Sequence, residues 1–173
     1  MNFSAETVQS IILGAIFMFF IVIAWLLAEF KGMKDEIREK LKINDDTLRM
    51  KLQAYERLTL FAERASLANL VTRLPVNGLS VVSYQLSLLE ALRSEYDYNV
   101  TQQIYVSQEM WRAIGNLKEQ NTFIINQLAA TLPPDGDGVA LSRLLLEYTS
   151  TNNAELSKVV LDALHFEAKK VLK

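Results

Sequence analysis

The longest run of apolar positions lies near the start of the chain, where residues 7–28 contain no charged side chain. A helix of these 22 residues is roughly 33 Å long, and the hydrocarbon core of a bilayer is about 30 Å thick. The run is too long for a signal peptide, and no Lys or Arg precedes it. Because it has no polar face, it is also unlike a core helix of a soluble protein. The pattern predicts a tail and transmembrane helix over residues 1–30.

The charges on either side of this run are unequal, and they predict its orientation. Only Glu6 is charged before it, whereas five basic residues follow closely: Lys31, Lys34, Arg38, Lys40 and Lys42. Lys and Arg near a span favour the cytoplasmic side. We therefore expect a single-pass protein embedded in a lipid bilayer, with its N-terminus outside and its C-terminal domain cytoplasmic.

Small residues recur on one side of the apolar run, at Ser10, Gly14, Ala24 and Ala28. Small residues four apart allow a second helix to approach closely, so this side is a candidate surface for packing of membrane helices. The alternative is that small residues fall four apart by chance.

After residue 30 the periodicity predicts helices only. Residues 31–43 form a charged juxtamembrane helical stalk, and residues 44–173 a cytoplasmic bundle of about four to five helices. Asn44, Asp45 and Asp46 are suited to cap a helix over residues 47–74, which ends before Pro75 and carries two apolar stripes, one of them including Leu60. The fold class is all-α.

Two further helices are predicted to begin at serine caps, Ser80 and Ser107. The segment 98–106 between them has both helical and strand character, and we favour a helix that breaks before Ser107. The second of these helices carries a seam at alternating spacings of four and three: Met110, Ile114, Leu117, Asn121, Ile124 and Leu128. A seam Asn can fix the register of paired helices, but we favour an Asn that bonds a nearby backbone group.

The Pro- and Gly-rich stretch 133–138 resembles a calcium loop only superficially. Either register of the EF-hand pattern places apolar residues where oxygen ligands are required, so we interpret the stretch as a connection. Beyond it, Asn152 and Glu155 have the spacing of a capping box for the last helix.

The composition excludes several kinds of chemistry. The 173 residues include no Cys, which rules out disulfides and thiolate metal sites. The net charge is −2 and no domain is strongly basic, so we expect no nucleic-acid partner. His165 is the only histidine, which argues against a metal site. Phosphate-binding and nucleophile motifs are also missing, and we expect no cofactor and no enzymatic activity.

One aromatic cluster rises above this background, with Tyr96, Tyr98, Tyr105 and Trp111 mixed among acids and amides. Tyr and Trp are enriched at partner-binding surfaces, and these four residues are the candidate partner-binding site. The alternative is that Tyr96, Tyr105 and Trp111 fill the bundle core, with Tyr98 exposed. A third interpretation is a small-ligand site formed by Tyr98, Asp97 and Arg57.

Two blocks carry a resemblance to a known family. They are LQAYERLTLFAER over residues 52–64 and EYDYNVTQQIYVSQEMW over residues 95–111. With the apolar run before them, they resemble a family of small single-span membrane proteins of the Bacteroidota. The resemblance implies location in the inner membrane of a Gram-negative bacterium. The family has no assigned activity, so it implies no catalytic residue.

Taken together, the sequence predicts a membrane-anchored cytoplasmic helical interaction module. Its expected role is that of an accessory or structural subunit, bound to an integral membrane protein in a larger complex. The alternative is a homo-oligomeric scaffold that uses the Ser10/Gly14/Ala24/Ala28 face and the seam from Met110 to Leu128.

Overall fold

The computed structural model describes the backbone of residues 5–151 and 156–172, and side chains from these ranges except residues 5–13, 15–17 and 24. Its α-helices are α1 (Ala5–Ala65), α2 (Leu67–Arg73), α3 (Val81–Asn99), α4 (Gln108–Ala129), α5 (Gly138–Thr151) and α6 (Leu156–Val171), with a short 3₁₀ helix (Val100–Ile104) after α3. Residues 5–151 and 156–172 contain no strand. The all-helical content predicted from the periodicity is therefore confirmed for this part of the chain.

Residue contacts divide the chain into two units, 1–47 and 48–173. The described part of the first unit is helical throughout. The second unit holds the hydrophobic core, which draws on α1 through α6. The domain limits expected after residues 30 and 43 stay predictions.

Within the residues that the structure describes, no helix is both long enough and apolar enough to cross a membrane. This finding contradicts the predicted transmembrane helix, the single-pass architecture and the inner-membrane localisation. The prediction rested on the whole run 7–28, many of whose side chains lie outside the described residues. The stretch in which nearly all side chains are described, residues 18–28, covers only about 16 Å of helix, roughly half of a hydrocarbon core.

The predicted helix 47–74 is wrong at its start and is interrupted once, whereas its end before Pro75 is confirmed, because α2 ends at Arg73 with Leu74 as its C-cap. Residues 44–46 lie inside α1, where Thr47 continues the helical pattern by donating its hydroxyl to the Ile43 carbonyl at 2.9 Å. Inside the predicted range the helix breaks at Ser66, which caps α2 by accepting a hydrogen bond from the Asn69 amide. The break raises the number of helices in the bundle above the four to five predicted.

The carbonyl groups released at the end of α1 are satisfied by polar side chains. The Glu63 carbonyl accepts from Asn69 Nδ2 at 2.8 Å, and the Ala65 carbonyl accepts from Asn121 Nδ2 at 2.7 Å. Leaving such a buried acceptor without a partner costs about 1–3 kcal/mol. Asn121 therefore bonds a backbone group, as we favoured, and the seam of α4 lies in the core of one chain.

Both serine caps are confirmed. The Ser80 hydroxyl accepts from the Ser83 amide at 3.2 Å, and the Ser107 hydroxyl accepts from the Met110 amide at 3.0 Å. Between them the chain leaves α3 through the 3₁₀ helix and turns before Ser107. The favoured helix with a break is thus confirmed over the strand alternative.

The stretch 133–138 is a connection, as predicted, and it is tied to the start of α3. The Val81 amide donates to the Gly136 carbonyl at 2.8 Å, and the Gly138 amide donates to the Leu79 carbonyl at 2.9 Å. The capping box predicted from Asn152 and Glu155 lies outside the described residues.

The bundle packs α3 against α4 and α5, α2 against α5, and α4 against α6. All six helices contribute its largest fully buried side chains: Leu58, Phe61, Leu70, Tyr84, Leu88, Leu92, Ile114, Leu117, Ile125, Leu141, Leu145 and Leu164. This core fixes the relative positions of the end of α1 and α3, which together form the cleft described next.

Candidate functional site

A surface cleft of about 410 Å³ separates the last turns of α1 from the end of α3. Residues of α1 form one wall and residues of α3 the other. The lining consists of Arg57, Leu60, Phe61, Arg64, Ser94, Glu95, Tyr98 and Asn99. The cleft therefore combines guanidinium groups with apolar and aromatic surface.

Tyr98 is the exposed aromatic of the predicted cluster, with 70% of its surface accessible. The Arg57 guanidinium carbon lies 5.5 Å from the centre of its ring, a cation–π contact across the cleft. Among the described residues, Arg57 makes no ion pair. The contact uses the charge of the guanidinium and leaves its donors without a partner among the described residues.

Leu60 lies beside this pair and is 58% exposed. Its predicted place in a second buried stripe is therefore wrong. Its neighbour Phe61 is buried in the core. Adjacent side chains on a helix point about 100° apart, so Leu60 is left exposed in the cleft.

Glu95, in the lining of the cleft, forms ion pairs with two arginines. Its Oε1 accepts from Arg64 Nε at 2.7 Å and from Arg73 Nη1 at 2.8 Å, and a second donor of Arg64 also contacts it. Burial raises the pKa of Glu95, but the hydrogen bonds and charges of the two arginines outweigh burial and hold the pKa below its usual range. The three side chains connect α1, α2 and α3 around the break at Ser66.

Two of the four predicted partner-binding residues pack against the core. The rings of Tyr96 and Trp111 stack with centroids 5.2 Å apart, and Phe61 meets Tyr96 edge-on at 6.1 Å. Lys118 Nζ covers the Tyr96 ring at 4.7 Å. Both aromatic side chains are half-buried, and their role in partner binding stays a prediction.

Tyr105 follows the 3₁₀ helix and is also half-buried, outside the cleft lining. Asp97 lines a different cavity, of about 460 Å³ between α3 and α4, where Arg93 Nε lies 3.5 Å from its Oδ2. The structure brings Arg57 and Tyr98 together and places Asp97 elsewhere. The small-ligand site predicted from all three residues does not form as one cavity.

The other predicted surfaces are placed as follows. Ser10 and the side chain of Ala24 lie outside the described residues, Gly14 has open space around it, and Ala28 is exposed. The seam of α4 from Met110 to Leu128 is buried or half-buried, and so cannot pair with a second chain in this fold. His165 is exposed, and within the described ranges no group of three or more metal-binding side chains is found.

A second polar cluster joins α1, α4 and α6 on another part of the bundle. Glu167 accepts from the Tyr55 hydroxyl at 3.0 Å and from the Ser107 hydroxyl at 2.6 Å. Burial, the hydrogen bond to Glu167 and the charge of Glu167 raise the pKa of Tyr55 to about 12. Tyr55 is only 7% exposed, so this cluster is a structural contact between helices rather than a site for a ligand.

The raised pKa of Tyr55 predicts a loss of stability in strong base. The folded state holds the phenol proton more tightly than the unfolded state, whose pKa is about 10. The stabilisation is therefore complete below pH 10 and is lost between pH 10 and 12, by about 1.4 kcal/mol at pH 11. Urea unfolding at pH 9 and pH 11 should show this loss relative to Tyr55→Phe, which lacks the titrating group. Equal losses in both proteins would contradict it.

The geometry defines an all-α bundle protein with an open cleft lined by arginine and aromatic side chains. The chain belongs to DUF7935, a family of unknown function, whose model matches residues 2–171. The expected membership in a family without an assigned activity is confirmed to that extent. No curated protein and no solved structure matches the chain. Arguments about function therefore rest on the cleft.

Proposed function

We propose that this chain is a helical protein-interaction module, an accessory or structural subunit of a larger protein complex, and that a partner segment binds in the cleft between α1 and α3. The observation that carries the proposal is that two exposed side chains, Tyr98 and Leu60, line one cleft together with Arg57. Tyr and Arg dominate the energetics of protein interfaces, and apolar anchors there are buried only when the partner is bound.

The contact between Arg57 and Tyr98 favours binding because it restricts both side chains beforehand. Ordering a flexible side chain at an interface costs about 0.5–1.5 kcal/mol. In the free protein the contact with Arg57 already restricts the Tyr98 side chain, so part of this entropic cost does not arise on binding. The donors of the Arg57 guanidinium remain available to a planar acceptor such as a carboxylate.

The charges around the cleft specify the chemistry of the partner. Arg57, Arg64 and Arg73 lie at or beside it, and Glu95 compensates one of these positive charges. The remaining positive charge is complementary to an acidic segment. We therefore infer a partner segment that carries a carboxylate for Arg57 and an apolar side chain for the Leu60 and Tyr98 surface.

The role is non-enzymatic in this proposal and uses no cofactor, metal or nucleic acid. A self-associating scaffold is the alternative role, and a small-ligand site in the same cleft is a weaker one because Asp97 lies outside it. Because the two blocks over residues 52–64 and 95–111 resemble proteins of the Bacteroidota, we also propose that this chain comes from that group of bacteria.

Tyr98→Ala should weaken partner binding while leaving the fold intact. Because the ring is exposed and central to the cleft, its loss is expected to cost about 2 kcal/mol of binding free energy, roughly a 30-fold weaker dissociation constant. Arg57→Glu should weaken binding to a similar degree through charge repulsion. The measurement is recovery of the partner with a tagged full-length chain, followed by titration of the purified partner.

Phe123→Ala is the matched control, because Phe123 is an exposed aromatic on α4 outside the cleft lining. Its partner recovery should equal that of the wild type. The proposal fails if Tyr98→Ala and Arg57→Glu retain every protein that the wild type recovers, or if all three variants lose it alike.

A further inference from the structure

The helix of the first unit carries an exposed apolar stripe that the cleft does not explain. Leu26, Phe30, Met33, Ile37 and Leu41 are each 42–64% exposed. Continuous apolar surface of this kind on a charged helix marks a contact with another macromolecule. Nearly all of the remaining positions between residues 29 and 47 are polar or charged.

The spacing of the stripe matches the pitch of the helix itself. From Leu26 to Asn44 the steps are four, three, four, four and three, which is 3.6 residues per step. The stripe therefore runs straight along one side of the helix for about 27 Å. Asn44, the single polar member, takes the position where an Asn in paired helices bonds its counterpart and fixes their register.

The charges beside the stripe are complementary to those of a second copy. Glu29 and Lys34 flank it on opposite sides, as do Lys40 and Asp45. In parallel paired helices a flanking residue faces the residue five positions later on the other helix. Both pairs then join opposite charges. Lys40 also binds Glu36 of its own helix at 2.8 Å, which keeps its charge beside the stripe.

From this pattern we propose that a second copy of the chain covers the stripe, parallel and in register over residues 26–44. An antiparallel arrangement would lose both the pairing of Asn44 with its counterpart and the two complementary charge pairs. The stripe and the cleft have no residue in common.

Cysteine cross-linking tests the arrangement cleanly, because the chain has no Cys of its own. The full-length Phe30→Cys and Leu41→Cys variants, oxidised with copper–phenanthroline in buffer, should each form a disulfide-linked dimer. Glu39→Cys lies on the opposite side of the helix and should form no disulfide-linked dimer. In a parallel pair in register each stripe residue meets its own counterpart, so links at only one of the two stripe positions, or at neither, overturn the proposal.

A charge exchange tests the same contact without disturbing the stripe. E29K places like charges opposite each other, and at low salt it should raise the dimer dissociation constant about fivefold. Adding K34E restores opposite charges and should return the constant to near the wild-type value. Sedimentation of the three proteins provides the measurement. If E29K has no effect, or if K34E weakens the dimer further, the proposed register is wrong.

Discussion

Replacing Phe61 by alanine is expected to lower the free energy of unfolding by about 3–5 kcal/mol. Phe61 is 1% exposed and its ring meets Tyr96 edge-on, so truncation removes apolar burial and leaves a cavity beside an aromatic stack. Urea unfolding followed by circular dichroism measures the loss. This is the largest single effect that we expect from a substitution in the walls of the cleft.

Leu60→Ala provides the matched control one residue earlier on the same helix. Because Leu60 is exposed, its truncation should change the free energy of unfolding by no more than about 0.5 kcal/mol. It should nevertheless weaken partner binding, since Leu60 forms apolar surface in the cleft. Equal destabilisation by both substitutions would show that position 60 belongs to the core and would remove it from the binding surface.

Gly138→Ala is the second substitution with a large expected effect. An added Cβ would lie 2.9 Å from the Leu79 carbonyl oxygen and 3.1 Å from Tyr84 Cβ. The Leu79 carbonyl cannot move away freely, because it accepts the hydrogen bond of the Gly138 amide. Overpacking of this kind costs about 1–3 kcal/mol, and it should appear as a lower midpoint of urea unfolding.

Gly115→Ala should change stability in the opposite direction. Gly115 lies inside α4, and an added Cβ would meet no heavy atom within 4 Å. Alanine in a helix interior is about 0.5–1 kcal/mol more favourable than glycine, so this variant should be stabilised by about that amount.

A stabilised Gly138→Ala variant would contradict the close packing between the loop before α5 and the start of α3.

Local chemistry was enough to predict several elements of the fold. Ser80 and Ser107 cap helices because a short hydroxyl can reach a free amide two or three residues later, and that geometry depends on adjacent residues alone. The proline- and glycine-rich connection was predictable for the same reason. The backbone bond of Asn121 was also favoured, although its acceptor at Ala65 is 56 residues away in the sequence.

The break at Ser66 was missed because apolar spacing continues through it. Its local signal is a serine followed three residues later by Asn69, which is a weak capping pattern, and no proline or glycine marks the position. Tertiary contacts from Asn121 and Arg73 satisfy the carbonyls that the break releases. Such contacts cannot be inferred from helical periodicity.

The cleft was predicted only in part. The exposure of Tyr98 could be predicted, but the ion pairs of Glu95 could not. Arg64 and Arg73 lie 31 and 22 positions before Glu95 in the sequence, and only the packing of α1, α2 and α3 brings the three side chains together. Leu60 was assigned to the core because an apolar residue at helical spacing fits a buried stripe. The rotation of the helix about its axis, set by Phe61, decides which apolar residues face solvent.

The most direct test of the proposed interaction role is photo-cross-linking from position 98 in living cells. With p-benzoylphenylalanine in place of Tyr98, the full-length chain should form one adduct of defined mass, and adding Arg57→Glu should abolish it. The same group at position 123 should yield no such adduct. Absence of an adduct from position 98, or identical adducts from both positions, would contradict the assignment of the cleft as the partner-binding surface.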